Sequence, residues 1–140
     1  MTAPIRVLVA DDHPVVRQGL ALIFATQPDI EMVGEAANGV ETVQLAEHYT
    51  PDVIVLDLMM PEMDGLSALR KVQQIQPTPH VLILTSFAED EHITAVLQAG
   101  AKGIHLKDSE PKSLIDAVRS IHNGGSAIHP AILERMVKRT

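Results

Sequence analysis

Cysteine is absent from this 140-residue chain, and so is tryptophan. Without thiols there are no disulfides, thiolate metal sites or thiol nucleophiles, which fits a reducing compartment. Aromatic residues make up only 2% (Phe24, Phe87 and Tyr49), so the core must be built from Val, Leu, Ile, Ala and Met. Positive charge is short as well, with 11 Lys and Arg against 18 Asp and Glu and a net charge of −7. Affinity for a phosphate backbone rests on clustered cations, so this chain is not expected to bind nucleic acid directly. The small basic group Arg135, Lys138 and Arg139 reads as a solvated helix face. No apolar run approaches the roughly 20 residues of a membrane span. The opening MTAPIRVLVADD has neither the charged flank nor the cleavage site of a signal peptide. A cytoplasmic location is the expectation.

What remains is ample for one domain: 46% hydrophobic residues against 21% charged. Short β-branched runs predict strands at 5–10, 30–36, 52–57, 80–85 and 102–106. Between and after them, apolar residues recur at three- and four-residue steps. The sets are Val16, Leu20, Ile23 and Phe24; Val40, Val43 and Ala46; Leu66, Leu69, Val72 and Ile75; Ile93, Val96 and Leu97; and Leu114, Ala117, Val118 and Ile121. Such one-sided stripes predict helices. Asn38 and Ser109 are candidate N-caps, Pro111 opens the last of these helices, and Gly100 is placed to end the fourth. Alternating βα units imply a parallel sheet with helices on both faces. The second strand, IEMVGEA, carries Glu31 and Glu35 between apolar residues and so belongs at an edge, whereas VIVLD and VLILT belong inside. An edge second strand and a central third give a doubly wound (βα)5 α/β fold of order 2-1-3-4-5. Asn123–Ser126 (NGGS) reads as a break, followed by an extra amphipathic helix over 130–139.

Four strands end on residues that phosphate and magnesium chemistry needs. The first runs into Asp11 and Asp12, the third into Asp57, the fourth into Thr85 and the fifth into Lys107. Carboxyl ends of parallel strands line one crevice, so these residues converge. A carboxylate can act as nucleophile toward a phosphoryl group, and Asp57, alone at the end of the central strand, is best placed for that. Mg²⁺ suits an all-oxygen site of one or two carboxylates plus phosphate and water, with Asp11 and Asp12 as its holders. Lys107 can neutralise a phosphoryl oxygen and Thr85 can donate a hydrogen bond to another. Three carboxylates without a cation repel, which raises at least one pKa.

The segments VLVADDHPVVRQGL, DVIVLDLMMPEMDG, VLILTS and GAKGIHLKD resemble, in order and spacing, the receiver domain of bacterial two-component response regulators. The steps are 45 residues from Asp12 to Asp57, 28 from Asp57 to Thr85 and 22 from Thr85 to Lys107. The resemblance covers about residues 5–123 and implies a flavodoxin-like sheet. It further implies that Asp57 accepts a phosphoryl group from a phosphohistidine on a sensor histidine kinase. Asp12 would bind Mg²⁺ directly and Asp11 mainly through water, with Asp57 and the backbone carbonyl of Met59 completing the protein ligands. Thr85 would swing toward the phosphoryl group and Lys107 would pair with it, while Pro61–Gly65 (PEMDG) forms the turn after the phosphorylated strand. DDHPVVRQGL, the non-proline after Lys107 and GGSAIHP resemble regulators with a LuxR-type helix-turn-helix output domain. On that resemblance residues 1–123 are the receiver, and 124–140 are a linker segment and helix leading to a DNA-binding domain that this sequence does not contain. Dimerisation on phosphorylation is the expected readout.

Two positions depart from the family pattern. Ile104 stands where Tyr or Phe is usual, three residues before the lysine, and His105 beside it should point to the other face. Asp108 follows Lys107 where many members have proline in a cis peptide; a cis bond before a non-proline costs ~2.5–4 kcal/mol, so none is expected.

Other readings compete with these. A phosphatase or phosphotransferase would need an acid two residues after the nucleophile, where Met59 stands. A flavin carrier of this topology would have Ser, Thr and Gly after the first strand, not Asp-Asp-His-Pro. A phosphorylation-independent interaction module of the same shape remains the alternative. Met59, Met60 and Met63 read as packing for the loop, with a second reading for Met59, whose side chain leaves the rim of the site and could tune water access to it. His92 and His105 read as surface residues, and His13 lies beside the acidic pair without being an expected Mg²⁺ ligand. Glu89, Asp90 and Glu91 read as favourable charge at a helix start.

Overall fold

Aliphatic strands alternate with amphipathic helices in the order the periodicity predicts. The computed structural model describes residues 3–86 and 90–139, leaving aside the side chains of Asp90, Glu91 and Arg139. The elements are β1 (Ile5–Ala10), α1 (Pro14–Ala25), β2 (Ile30–Ala36), α2 (Gly39–Tyr49), β3 (Val53–Asp57), α3 (Gly65–Val72), β4 (His80–Thr85), α4 (Asp90–Gln98), β5 (Gly103–Leu106), α5 (Pro111–His122), β6 (Ala127–Ile128) and α6 (Pro130–Arg139). Glu89 and the side chains of Asp90 and Glu91, the acidic run at the start of α4, lie outside the described residues.

All pairings in the sheet are parallel, and the order is β2-β1-β3-β4-β5-β6. The first five strands follow the expected order with β2 at an edge; the sixth was not foreseen. Ala127 and Ile128 pair with Gly103 and Ile104, and the His129 N–H donates to the Ile104 carbonyl at 2.9 Å. Two residues carry too little pattern to read as a strand, and the glycines before them read as a break.

Both faces of the sheet are covered, so successive residues of one strand feed different cores. Leu8, Ala10, Ile54, Leu56, Val81, Ile83 and Ile104 pack with Ala46, Ala68, Leu69, Val72, Ile93 and Val96 under α2, α3 and α4. Val7, Val9, Val53, Val55, Leu82 and Leu84 pack with Leu20, Phe24, Leu114, Val118 and Ile121 under α1 and α5. Helix α6 joins the first of these cores by burying Ile132, which is 1% exposed.

Helix ends follow local chemistry with one correction. Asn38 caps α2 by accepting the Glu41 N–H at 2.8 Å, and the Glu41 carboxylate returns to the Ala37 N–H at 2.8 Å, a reciprocal box. Gly100 follows α4 with φ of +108°, a left-handed conformation that suits glycine. Ser109 does not cap α5: Glu110 holds that position, with no side-chain cap, and Pro111 opens the helix at its first position. Among the described residues the cis peptide lies at Gln76–Pro77 and not after Lys107. None of their helices is long and apolar enough to cross a membrane.

Candidate functional site

The strand ends converge as the topology requires. Asp57 closes β3, Thr85 closes β4, Lys107 follows β5, and Asp11 and Asp12 follow β1. Asp57 pairs in register with Leu84, and Thr85 with Leu106. The Lys107 ammonium lies 2.7 Å from Asp11 Oδ2 and 3.2 Å from Asp57 Oδ2. Asp11 and Asp57 are 1% and 4% exposed, whereas Asp12 sits at the rim, half-buried. His13, Asp57, Met59, Thr85, Ser86, His92 and Lys107 line an open cavity of about 210 Å³. Every side chain named from the sequence therefore belongs to one neighbourhood.

The charges do not balance. Three carboxylates face one ammonium, and two of those carboxylates are buried. Burial, then the charge of Asp11, push the Asp57 carboxyl above its ordinary range, and the opposing pull of Lys107 does not cancel them. Burial works against the Lys107 ammonium too, but its close ion-pair contacts with Asp11 and Asp57 hold its pKa above the usual lysine value. Neither Asp11 Oδ2, Asp57 Oδ2 nor Asp12 Oδ1 accepts a well-directed hydrogen bond among the described residues, although Lys107 and His13 stand at ion-pair distance. Oxygen donors that converge with a net charge of about −2 fit a hard divalent cation.

Local geometry holds these groups in place. The Met59 N–H reaches Asp57 Oδ1 at 3.3 Å, and the His13 N–H reaches Asp11 Oδ1 at 2.8 Å. Arg17, one turn into α1, donates to the Asp11 carbonyl and pairs with Glu35 at 3.0 Å. The sequence reading passed over Arg17, because a cation in the first helix carries no signal of a backbone contact six residues back. In the PEMDG segment, Asp64 caps α3 by accepting the Ser67 N–H at 2.8 Å. At Gly65 a Cβ would fall 2.4 Å from the Asp57 carbonyl oxygen, so only glycine lets α3 start this close to β3.

Three expectations need amendment. Met60 and Met63 pack against the core as predicted, but Met59 is 65% exposed at the cavity rim. His105 does point to the face opposite Ile104, yet it is not a surface residue. It is 4% exposed beside Ser113, Asp116 and Ala117 of α5, with its ring centroid 5.1 Å from that of His129. The strand's second face is covered, so a polar residue there is buried whatever its hydropathy. His92 is half-buried and lines the acidic cavity.

The family model for the response regulator receiver domain matches residues 7–119. The chain belongs to that family. This receiver is 47% identical to the transcriptional regulatory protein YhcZ of Bacillus subtilis (strain 168) over 94% of its own length and 63% of the relative's. It is 40% identical to the transcriptional regulatory protein LiaR of the same organism, covering 96% and 64%. It thus spans somewhat under two thirds of these relatives. A two-component response regulator of the LuxR family from Aurantimonas sp. SI85-9A1 superimposes with a TM-score of 0.92 at 31% identity, covering 98% of each chain. The curated relatives are named transcriptional regulatory proteins, and the structural neighbour is a response regulator of the LuxR family.

Proposed function

We propose that this receiver takes a phosphoryl group onto Asp57 and passes the event to a transcriptional output. The supporting observation is the buried pair Asp11 and Asp57 sharing one ammonium, a site short of positive charge at the end of the central strand. A carboxylate oxygen of Asp57 attacks the phosphorus of a phosphohistidine on a sensor histidine kinase. The P–O bond forms as the P–N bond breaks, and the imidazole leaves and takes up a proton. Mg²⁺ held by Asp11, Asp12, Asp57 and the Met59 carbonyl would supply charge neutralisation for attacking and transferred oxygens. Lys107 holds one phosphoryl oxygen, and the Thr85 hydroxyl donates to another. The chain is a phospho-acceptor that promotes at most its own phosphorylation and dephosphorylation.

Phosphorylation then shifts the populations of the 86–108 face, within which 87–89 lie outside the described residues. The readout is homodimerisation and control of a DNA-binding output domain through a linker formed by residues 124–140. The chain itself, with its net charge of −7, makes no direct contact with DNA. The alternative, a phosphorylation-independent interaction module, draws its support from Ile104 at the usual aromatic position.

Intact mass after incubation with acetyl phosphate and Mg²⁺ tests the reading. One added phosphoryl group, lost without Mg²⁺ and absent in Asp57→Asn, is the expected result. A folded, metal-binding protein with no adduct would favour the alternative.

A further inference from the structure

We propose that protonation of His129 opens a latch at the sheet edge, releasing β6 and α6 from the rest of the receiver as pH falls. The release needs neither a phosphoryl group nor a cation, so it stands apart from the reading above.

His129 joins the last strand to the last helix. It directly precedes α6, and its carbonyl accepts the Ile132 N–H at 2.9 Å and the Leu133 N–H at 3.0 Å. Its ring closes the same turn, Nδ1 accepting the Ala131 N–H at 3.1 Å. An imidazole thus caps this helix, where Ser, Thr, Asp or Asn is usual. A ring nitrogen that accepts carries no proton, so the cap exists only while the ring is neutral with its proton on Nε2. Histidine is the side chain whose charge changes between about pH 5 and pH 8. A proton arriving at Nδ1 sets donor against donor and places positive charge at the positive end of the helix.

His105 makes that charge costlier. Its ring is 4% exposed, with its centroid 5.1 Å from that of His129. Its Nε2 is buried without a hydrogen-bond partner. Burial first, and then His129, hold its pKa below the ordinary value, so it stays neutral while covered and takes a proton when the cover lifts. Carboxylates stand nearby. Asp116 of α5 lines one cavity with both rings, and Asp108 and Glu110, between β5 and α5, line another with His129. They attract an imidazolium, but among the described residues none is paired with His129. No contact stands ready to replace the lost cap.

The segment is also lightly held. β6 pairs through Ala127 and Ile128 alone. Its bonds to β5 are the Ala127 N–H to the Lys102 carbonyl at 3.1 Å and the His129 N–H to the Ile104 carbonyl at 2.9 Å. Among the described residues of α6, Ile132 is the buried anchor. With so few contacts, one lost cap and one added charge decide whether the segment opens, and amide exchange reads such local opening.

Hydrogen exchange of the 140-residue chain at about pH 7.5 and pH 5.5, expressed as protection factors, tests the latch. The wild type should lose about tenfold or more protection in β6 and the first turn of α6 at the lower pH. Amides of β1, β3 and β4 should change less than about threefold. His129→Asn caps without titrating and should show no such loss between the two pH values. Nitrogen chemical shifts of the His129 ring give a second readout that needs no variant. Nδ1 should be unprotonated at the higher pH and should gain its proton in step with the loss of protection. A ring that carries its proton on Nδ1 at the higher pH would overturn the proposal. So would the same loss in His129→Asn, an equal loss in every strand, or no loss in the wild type.

Discussion

Asp57 is costly to hold at the end of β3. Its folded pKa lies above the unfolded value because burial, then Asp11, oppose its charge. Between the two values the folded state binds more protons than the unfolded state, so stability falls as pH rises through that window. Above that window and without metal, the ionised group is a net strain on the fold. Asp57→Asn should therefore raise the melting temperature in EDTA by about 2–6 °C, and calorimetry at rising pH from the unfolded carboxylate value of about 3.9 should show the gain growing through that window. No gain would mean that Lys107 already balances the site. Gly65 is constrained in another way, by a Cβ that would collide with the Asp57 carbonyl oxygen. Gly65→Ala should cost about 1–3 kcal/mol in urea unfolding and should also slow the appearance of any Asp57 adduct, because the loop carrying Met59 shifts with it.

At the scale of elements, the informative part is the segment after α5. Asn123–Ser126 reads as a break, and locally it is one, yet the chain returns to pair β6 with β5 and to seat α6 through Ile132. Ile132→Ala should cost about 2–4 kcal/mol if the site cannot collapse; hydrogen exchange should then show α6 and β6 opening before the other strands. His105 and His129 sit at the same junction. Burial first, and then the nearby His129, hold the His105 pKa below its ordinary value. Here the unfolded state binds the extra proton, so stability present above the unfolded pKa of about 6.5 is lost as pH falls through that value toward the folded one. The dependence is at most about 1.4 kcal/mol per pH unit for one proton. Urea unfolding between pH 7 and pH 5 should be flatter for His105→Phe than for the wild type; parallel curves would remove His105 as the titrating group.

For the whole molecule, a cation that binds only the folded chain adds stability by mass action, about 2.7 kcal/mol at a hundredfold excess over its Kd. A melting temperature that rises with Mg²⁺, returns with EDTA and does not respond in Asp12→Asn is the expected behaviour. The parallel order of the first five strands, the edge place of β2 and the convergence of Asp11, Asp12, Asp57, Thr85 and Lys107 were legible in sequence. Hydrophobic runs and helical stripes specify element type, and a doubly wound sheet gathers its carboxyl strand ends in one place. The caps were legible in part: Asn38 announces itself by chemistry, while Ser109 gives way to the backbone set by Pro111. What sequence could not specify depends on neighbours distant along the chain. The burial of His105 follows from α5 covering its face, the turn of the His13 ring from the carboxylates beside it, and the strand β6 from an edge of β5 left open for pairing. Local pattern therefore determined which elements form and which strand ends carry chemistry. Tertiary packing alone decided which polar side chains lose their water and how their charges meet, because both depend on what lies across the gap.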